Sequence, residues 1–366
     1  MTANPALWQP FQLGRLTLDH RLALAPMTRS RALADGTPGE GAALYYRQRA
    51  SLGLLISEGV QPSADGQGYL NTPGIYTQAH IDGWREVTDA VHAAGGALFL
   101  QLMHAGRVSH PDNTSHHRAP VAPSAIASGG QVMTPTGLQD SPVPHELSTD
   151  EIAATVADYR HAAASAVAAG ADGVEIHAAN GYLPNQFLSP NANHRTDQYG
   201  GSVANRARFV IEIAQAIAEE IGADRTGIRI SPGLPASGID EGEREAVHAQ
   251  YTYLVGELAK LDLAYLHVHH LGDDELLRSI RELWPNALLV LRLGRTREQL
   301  GDDIVAGLAD VVPVGRWALA NPDLVERLRR DAGFNDADPS TFYTGGAHGY
   351  TDYPTLAATE SDAVTA

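Results

Sequence analysis

The sequence contains no cysteine. This absence excludes disulfide bonds, thiolate metal sites, cysteine-ligated iron–sulfur clusters and cysteine nucleophiles. Basic residues are also scarce, because 26 lysines and arginines stand against 43 aspartates and glutamates, for a formal charge of −17. An acidic surface repels phosphate groups, so we expect neither nucleic acid nor an anionic membrane as a partner.

Long apolar runs are missing as well. No stretch of 18 or more consecutive apolar residues is available for a transmembrane helix. The opening residues, MTANPALWQPFQLG, have neither the basic nor the apolar region of a signal peptide. The composition, 43% hydrophobic and 19% charged, is that of a globular chain. These features predict a cytoplasmic protein.

Eight short apolar runs alternate with helical patterns along the 366 residues. The predicted strands are residues 22–26, 54–59, 97–103, 173–177, 227–231, 265–269, 288–293 and 310–315. The clearest predicted helix covers residues 149–169, where Ser148 and Glu151 form a capping box and Gly170 ends the pattern. A second helix is predicted over residues 205–221, ending at Gly222. This alternation predicts an α/β fold, a single (β/α)8 TIM barrel over residues 1–354, in preference to an open doubly wound sheet.

Some segments depart from this repeat. Residues 11–21 predict a β-hairpin that closes the bottom of the barrel, and residues 105–147 form a long excursion after the third strand. Residues 355–366 read as a polar, mobile C-terminal tail. Pro313 conflicts with the eighth strand, because a central strand excludes proline, so we expect a later start or a bulge there.

The seventh and eighth predicted strands end alike, in Gly294-Arg295 and Gly315-Arg316. Glycine lets the backbone approach an anion, and arginine offers two parallel donors to phosphate oxygens. The loops after these strands are the usual phosphate site of the fold. A turn followed by a surface charge explains either pair alone, but two at matching positions favour a phosphate site.

Three hydrogen-bonding side chains, His177, Asn180 and Tyr182, follow the fourth strand within six residues. Histidine and asparagine can both donate to one carbonyl oxygen, and tyrosine can act as an acid toward the neighbouring carbon. The alternative is a polar loop with a capping asparagine and a packed tyrosine. The spacing by itself favours this alternative by a modest margin.

Two further strands carry unexpected polar residues. Arg229 lies inside an apolar strand, where it either forms a buried ion pair, for example with Glu175, or faces an electron-rich ring. His267 and His269 share one strand face and suggest a metal-dependent barrel hydrolase. No carboxylate motif accompanies them, so we expect no metal site.

Seven segments together are similar to one family. They are APMTRSRA (25–32), ISEGV (56–60), QLMHAGRVS (101–109), GVEIHAANGYLPNQFLSPNANHRTDQYGGSVANRARF (173–209), IRISP (228–232), ANPDL (320–324) and FYTGGAHGYTDYP (342–354). They resemble the Old Yellow Enzyme family of flavin-dependent ene-reductases. The resemblance runs from about residue 11 to residue 354, and its segment 173–209 is long and highly specific.

The resemblance implies a non-covalent FMN inside the barrel, with NADPH or NADH as the reductant. Pro26, Met27 and Thr28 would line the flavin, with Thr28 on its O4 side. Gly59 and Gln101 would contact the isoalloxazine ring.

The same resemblance implies the remaining cofactor contacts. Arg229 would lie near N1 and O2 of the flavin and stabilise charge on the reduced ring. Gly294, Gly315 and Arg316 would hold the phosphate. Arg295 is a departure from the family turn, and it is either an added phosphate ligand or a surface residue paired with Glu298.

For the substrate, the resemblance assigns carbonyl binding to His177 and Asn180, proton donation to Tyr182, and pocket walls to Tyr69 and Tyr343. The implied reaction is NAD(P)H-dependent reduction of the activated C=C bond of α,β-unsaturated carbonyl or nitro compounds, with both substrates using one pocket in turn. Small molecules are the expected partners of a monomer or homo-oligomer.

Two more departures concern substrate range. Met103 replaces a common aromatic, and Val314 replaces the aromatic usual before the last Gly-Arg. A barrel that binds phosphate without a flavin is the remaining alternative.

Overall fold

The computed structural model describes residues 4–358. Its centre is an eight-stranded parallel sheet made of Leu22–Leu24, Leu54–Val60, Leu98–Leu102, Gly173–Ala178, Thr226–Ile230, Tyr265–His270, Ala287–Arg292 and Val312–Val314. Each strand pairs with the next in sequence, and the eighth pairs with the first. A parallel bridge between Leu289 and Val311 joins the seventh strand to the eighth. The predicted (β/α)8 barrel is therefore confirmed, with strand ends within two residues of their predicted positions.

The eighth strand starts at Val312, two residues later than predicted, and it still contains Pro313 without a bulge. Toward the first strand, the ladder uses the N–H of Val312 and the carbonyl of Val314. Successive backbone groups alternate in direction, so the nitrogen of Pro313 faces the seventh strand. There the pairing consists of the single bridge at Val311, and a missing N–H costs little.

The α-helices are Ala42–Gln48, Gln78–Ala93, Thr149–Ala168, Leu183–Leu188, Val203–Ile221, Arg244–Leu258, Asp274–Leu283, Asp302–Val305, Arg316–Ala320 and Leu324–Arg330. The predicted capping box is present, because Ser148 Oγ accepts from the Glu151 N–H and the Glu151 carboxylate accepts from the Ser148 N–H. The helix predicted from residue 205 begins two residues earlier, after its N-cap Ser202.

The N-terminal hairpin closes the bottom of the barrel, as predicted. Phe11–Leu13 pairs antiparallel with Leu16–Leu18. Leu13 and Leu18 are buried in a cluster with Phe99 and other residues that point inside the barrel. Burying a leucine in this way contributes about 1.5–3 kcal/mol.

The excursion after the third strand folds over the top of the barrel. It contains a hairpin, Gln131–Thr134 with Gly137–Asp140, and the paired short strands Val121–Ala122 and His145–Glu146. Arg107, near the start of the excursion, is buried and donates to the Gly238 carbonyl at 2.7 Å. The segment is therefore a small subdomain that contains two strand pairs of its own.

Residues 359–366 of the predicted C-terminal tail lie outside the described residues, and the predicted division at residue 354 remains a prediction. At the start of that tail, the Leu356 N–H donates to Asp323 Oδ2 at 2.6 Å. No helix within residues 4–358 is both long and apolar enough to cross a membrane. The cytoplasmic location also remains a prediction.

The single lysine of the sequence lies at the opposite end of the barrel from the carboxyl ends of its strands. Lys260 stands between the helix Arg244–Leu258 and the start of the sixth strand. Its side chain is 67% exposed and pairs with Glu257 at 2.6 Å.

Candidate active site

Two connected cavities open at the carboxyl ends of the barrel strands. The first has a volume of about 320 Å³ and is lined by Pro26, Met27, Thr28, Gln101, Met103, His177, Asn180, Tyr182, Arg229, Arg316, Leu319, Phe342 and Tyr343. The second, of about 640 Å³, includes Gly294, Arg295 and Gly315. Pro26, Met27, Arg229 and Arg316 line both. Thirteen of the fifteen predicted site residues, drawn from positions 26 to 343, therefore line these two cavities, whereas Gly59 and Tyr69 line neither.

The fourth strand and the loop after it supply the predicted substrate ligands. His177 is buried, and its ring meets the ring of Tyr182 edge-on with centroids 4.8 Å apart. Its Nδ1 is buried without a partner among the described residues. Burial, followed by the charge of Arg229, lowers the pKa of His177 well below its ordinary value. A neutral imidazole therefore faces the cavity.

Tyr182 presents its hydroxyl to the same cavity, 3.1 Å from the Tyr69 hydroxyl. Burial, followed by the proximity of Tyr69, raises the pKa of Tyr182 well above its ordinary value. The phenol is therefore protonated at neutral pH. Tyr69, predicted as a pocket wall, reaches the site only through this hydrogen bond, and Tyr343 stands at the rim with 61% of its surface exposed.

Glu175 organises the barrel interior below the cavity. Its carboxylate accepts from Gln101 Nε2 at 2.7 Å and lies 2.9 Å from His267 Nδ1. Burial works to raise the pKa of Glu175, but the contacts with His267, Arg229 and Gln101 outweigh it and lower the pKa. Glu175 and Arg229 do not form the direct ion pair considered above, since the carboxylate bonds His267 and Gln101, although the charge of Arg229 still acts on it.

Arg229 is left facing the cavity. It is 4% exposed, and its Nε is buried without a hydrogen-bond partner among the described residues. His269, on the neighbouring strand, has an unpartnered Nε2, while its Nδ1 lies 3.5 Å from Asn180 Oδ1. Buried polar groups are normally satisfied. These atoms mark the wall of a site for a polar, electron-rich ring, as a flavin would provide.

A buried carboxyl fixes the backbone directly after Thr28. Glu58 Oε2 accepts from the N–H groups of the next two residues, Arg29 at 3.0 Å and Ser30 at 3.3 Å. Burial raises the pKa of Glu58 to about 7. Gly59 packs against Met103, because a β-carbon at position 59 would lie 2.5 Å from the Met103 sulfur.

The predicted phosphate residues surround the second cavity, but Arg295 has a different ion-pair partner from the one considered above. Arg295 pairs with Asp303 at 2.8 Å and not with Glu298. Asp303 is buried and also pairs with Arg292 at 2.8 Å. Arginine carries five N–H donors, so the pair with Asp303 leaves others for an anion.

Sequence reasoning missed the residues that build the rim. Arg29 donates to the carbonyls of Phe342 and Gly349, and Arg31 donates to those of Thr341, Gly346 and His348. The two arginines hold the segment 341–349 over the cavity, where Phe342 becomes part of the lining. The motif APMTRSRA contained both arginines, but their partners lie more than 300 residues away.

The metal-site alternative gains no support. Across residues 4–358 no group of three metal-binding side chains is assembled. His267 is engaged by Glu175, and His269 faces the cavity next to Asn180.

Arg229, with its Nε unpartnered among the described residues, lines both cavities, and two Gly-Arg turns border the second. This is the arrangement that the resemblance implied for a flavin-dependent oxidoreductase. The comparisons agree with this class. The family model described as the NADH:flavin oxidoreductase / NADH oxidase family matches residues 6–335. The chain therefore belongs to this family, which includes the Old Yellow Enzyme homologues, and is an FMN-dependent enzyme with a nicotinamide reductant.

Three similar proteins illustrate the relationship. The 12-oxophytodienoate reductase 7 of Oryza sativa subsp. japonica is 40% identical over 379 residues, covering 97% of this chain and 96% of that protein. Morphinone reductase in complex with tetrahydroNAD has a TM-score of 0.91 at 46% identity, covering 96% and 98% of the two chains. The Old Yellow Enzyme homologue from Zymomonas mobilis has a TM-score of 0.92 at 37% identity, covering 96% and 100%.

Proposed function

We propose that this protein is an ene-reductase that reduces the activated C=C bond of α,β-unsaturated carbonyl or nitro compounds. The observation that carries the proposal is the convergence of His177, Asn180 and Tyr182 on the cavity that Arg229 also faces. Two of the similar proteins are named as reductases of carbonyl-bearing compounds, 12-oxophytodienoate and morphinone, and this supports the same substrate class.

The cavity residues fit a non-covalently bound FMN. The ring would lie among Pro26, Met27, Thr28, Gln101 and Arg229, all of which line the first cavity. The guanidinium of Arg229 would compensate negative charge on the reduced ring. When bound, FMN would supply the hydride chemistry that links NADPH or NADH to the substrate alkene.

The phosphate would lie in the second cavity. Gly294, Arg295, Gly315 and Arg316 border it. Charge-assisted bonds from arginine to phosphate are among the stronger hydrogen bonds in proteins.

Substrate activation falls to the fourth-strand residues. Neutral His177 and the amide of Asn180 donate to the substrate oxygen, which stabilises the negative charge that develops there. Tyr182, kept protonated by its raised pKa, donates a proton to the carbon next to the carbonyl. Because one cavity serves the nicotinamide and then the alkene, the two substrates react in alternation.

The test is anaerobic bleaching of the purified yellow protein by NADH and by NADPH, each followed by addition of a panel of enones and nitroalkenes. We expect bleaching by at least one nicotinamide, and return of the oxidised flavin spectrum with formation of the saturated product. Bleaching without reoxidation by any activated alkene would refute the proposal.

A further inference from the structure

The loop that carries the proposed substrate ligands contains two consecutive residues in left-handed conformation. Asn180 has a φ of +58° and Gly181 a φ of +83°. Gly181 also packs closely, since a β-carbon there would lie 2.6 Å from the Ala236 carbonyl oxygen. Asparagine enters this conformation more readily than other non-glycine residues, but the backbone groups of a buried turn must still find partners in the surrounding structure. The geometry of the turn is therefore set from outside.

Three buried side chains bond the turn: Gln186 Nε2 donates to the Gly181 carbonyl at 2.8 Å, and two others accept from the N–H groups of the turn. The N–H of Gly181 donates to Asn185 Oδ1 at 2.8 Å, and the N–H of Asn180 donates to Ser231 Oγ at 2.8 Å. Asn185 and Ser231 are both buried. Neither lines the cavities, and the proposed reaction assigns them no role.

The buried carboxyl of Glu241 lies behind Asn185 and determines which end of the Asn185 amide faces the turn. Asn185 Nδ2 donates to Glu241 Oε1 at 2.8 Å, and Tyr251 donates to the same oxygen at 2.6 Å. Glu241 Oε2 accepts from the Gly233 N–H at 2.7 Å. A carboxylate only accepts, so the amide NH₂ of Asn185 must point toward Glu241 and its oxygen toward Gly181.

We propose that Asn185, oriented by Glu241, is a positioning residue for carbonyl binding. It fixes the Asn180–Gly181 turn, and this turn sets the direction in which the side chains of Asn180 and Tyr182 enter the cavity. The inference rests on the proposed function, because it concerns the binding of a substrate oxygen by Asn180.

The test measures binding of a phenol acidic enough to be ionised from pH 5.5 to 8.5. Its phenolate presents a charged oxygen where the substrate oxygen would bind, and binding is followed by the change in the flavin spectrum of the holoenzyme. Asn185→Ala should raise the phenol Kd at least tenfold, and Ser231→Ala should raise it in the same direction. The FMN Kd should stay within twofold, since neither residue reaches the FMN cavities.

Asn185→Asp separates positioning from packing. This variant keeps an oxygen for the Gly181 N–H but sets a second carboxyl against Glu241. Relative to wild type at the same pH, it should bind phenol nearly normally at pH 5.5, where the two carboxyls share a proton, and worse at pH 8.5. A packing defect would give a ratio of variant Kd to wild-type Kd that does not depend on pH.

Asn191→Ala is the matched control. Asn191 joins the same two loops through Gly238 and Asp240 but makes no bond to the turn, so its phenol Kd should stay within twofold of wild type. If Asn185→Ala does not fold, Ser231→Ala and Asn185→Asp decide the matter. If the wild type binds phenol and reduces enones, and the soluble variants bind phenol just as well, this inference alone is overturned. A wild type that does neither would instead contradict the proposed function.

Discussion

At the scale of single residues, Tyr182 separates the two halves of the proposed reaction. Its raised pKa keeps the proton that the alkene step needs, whereas reduction of the flavin by nicotinamide needs no acid. Tyr182→Phe should therefore slow flavin reoxidation by an enone by about 10²–10⁴-fold and leave flavin reduction nearly intact. Stopped-flow absorbance of each half-reaction measures both rates.

Tyr76→Phe is a suitable control, since Tyr76 packs against His80 and lines neither cavity. It should change neither rate. Equal slowing of both half-reactions in Tyr182→Phe would count against its role as the acid.

The substrate-oxygen donors lead to a second expectation. His177→Ala or Asn180→Ala should weaken binding of a phenolate by about 10–100-fold, because each donor to a charged oxygen contributes about 1.5–3 kcal/mol. Spectral titration of the flavin gives the Kd. If both variants bind phenol like the wild type, these residues are not the donors.

The sequence predicted the identity of the residues better than their partners. His177, Asn180 and Tyr182 lie within six positions, but their spacing alone favoured a polar loop, and their predicted roles came from the family resemblance. Their environment depends on residues far away in the chain, such as the Arg229 charge that helps to keep His177 neutral. Phe342 enters the lining only because Arg29 holds its carbonyl, 313 residues away in sequence.

At the scale of elements, the loop after the seventh strand borders the cavity that we propose holds the FMN phosphate. Asp303, shared with Arg292, orients the Arg295 side chain next to the second cavity. We expect Arg295→Ala to weaken FMN binding by about one to two decades, the worth of a charge-assisted bond of about 1.5–3 kcal/mol. The difference from wild type should shrink as salt rises.

Fluorescence titration of the apoprotein with FMN measures this effect. Arg297→Ala is the matched control, because Arg297 stands two residues on and pairs with Asp331. It should leave the FMN Kd unchanged. An FMN Kd for Arg295→Ala within twofold of wild type at low salt would make Arg295 only a structural partner of Asp303.

Elements were predictable where their signals are local. The capping box at Ser148 and the alternation of strands and helices both depend on near neighbours in sequence. Pro313 and Arg295 were harder, because the state of each depends on a tertiary partner, the seventh strand for one and Asp303 for the other.

At the scale of the whole molecule, Glu58 should make stability depend on pH. Burial raises its pKa from 4.5 to about 7 in the folded protein. Between these two pH values the folded state holds a proton that the unfolded chain has lost. The contribution of this proton to the free energy of unfolding is complete below pH 4.5 and is lost as the pH rises through 7.

Glu58→Gln keeps an oxygen for the Arg29 and Ser30 N–H groups but cannot ionise. Its free energy of unfolding, relative to wild type, should rise by about 2.5 kcal/mol between pH 5 and pH 8. Urea unfolding at the two pH values measures this difference. A difference that stays constant with pH would mean that Glu58 titrates normally.

The placement of Lys260 has a practical consequence for attaching the protein to a surface. Apart from the α-amine, an amine-reactive support or dye has one side chain to react with, and that side chain is largely exposed. It lies at the end of the barrel remote from the cavity mouth. Coupling through Lys260 should therefore present the molecules in a uniform orientation, with their cavities open to the solution.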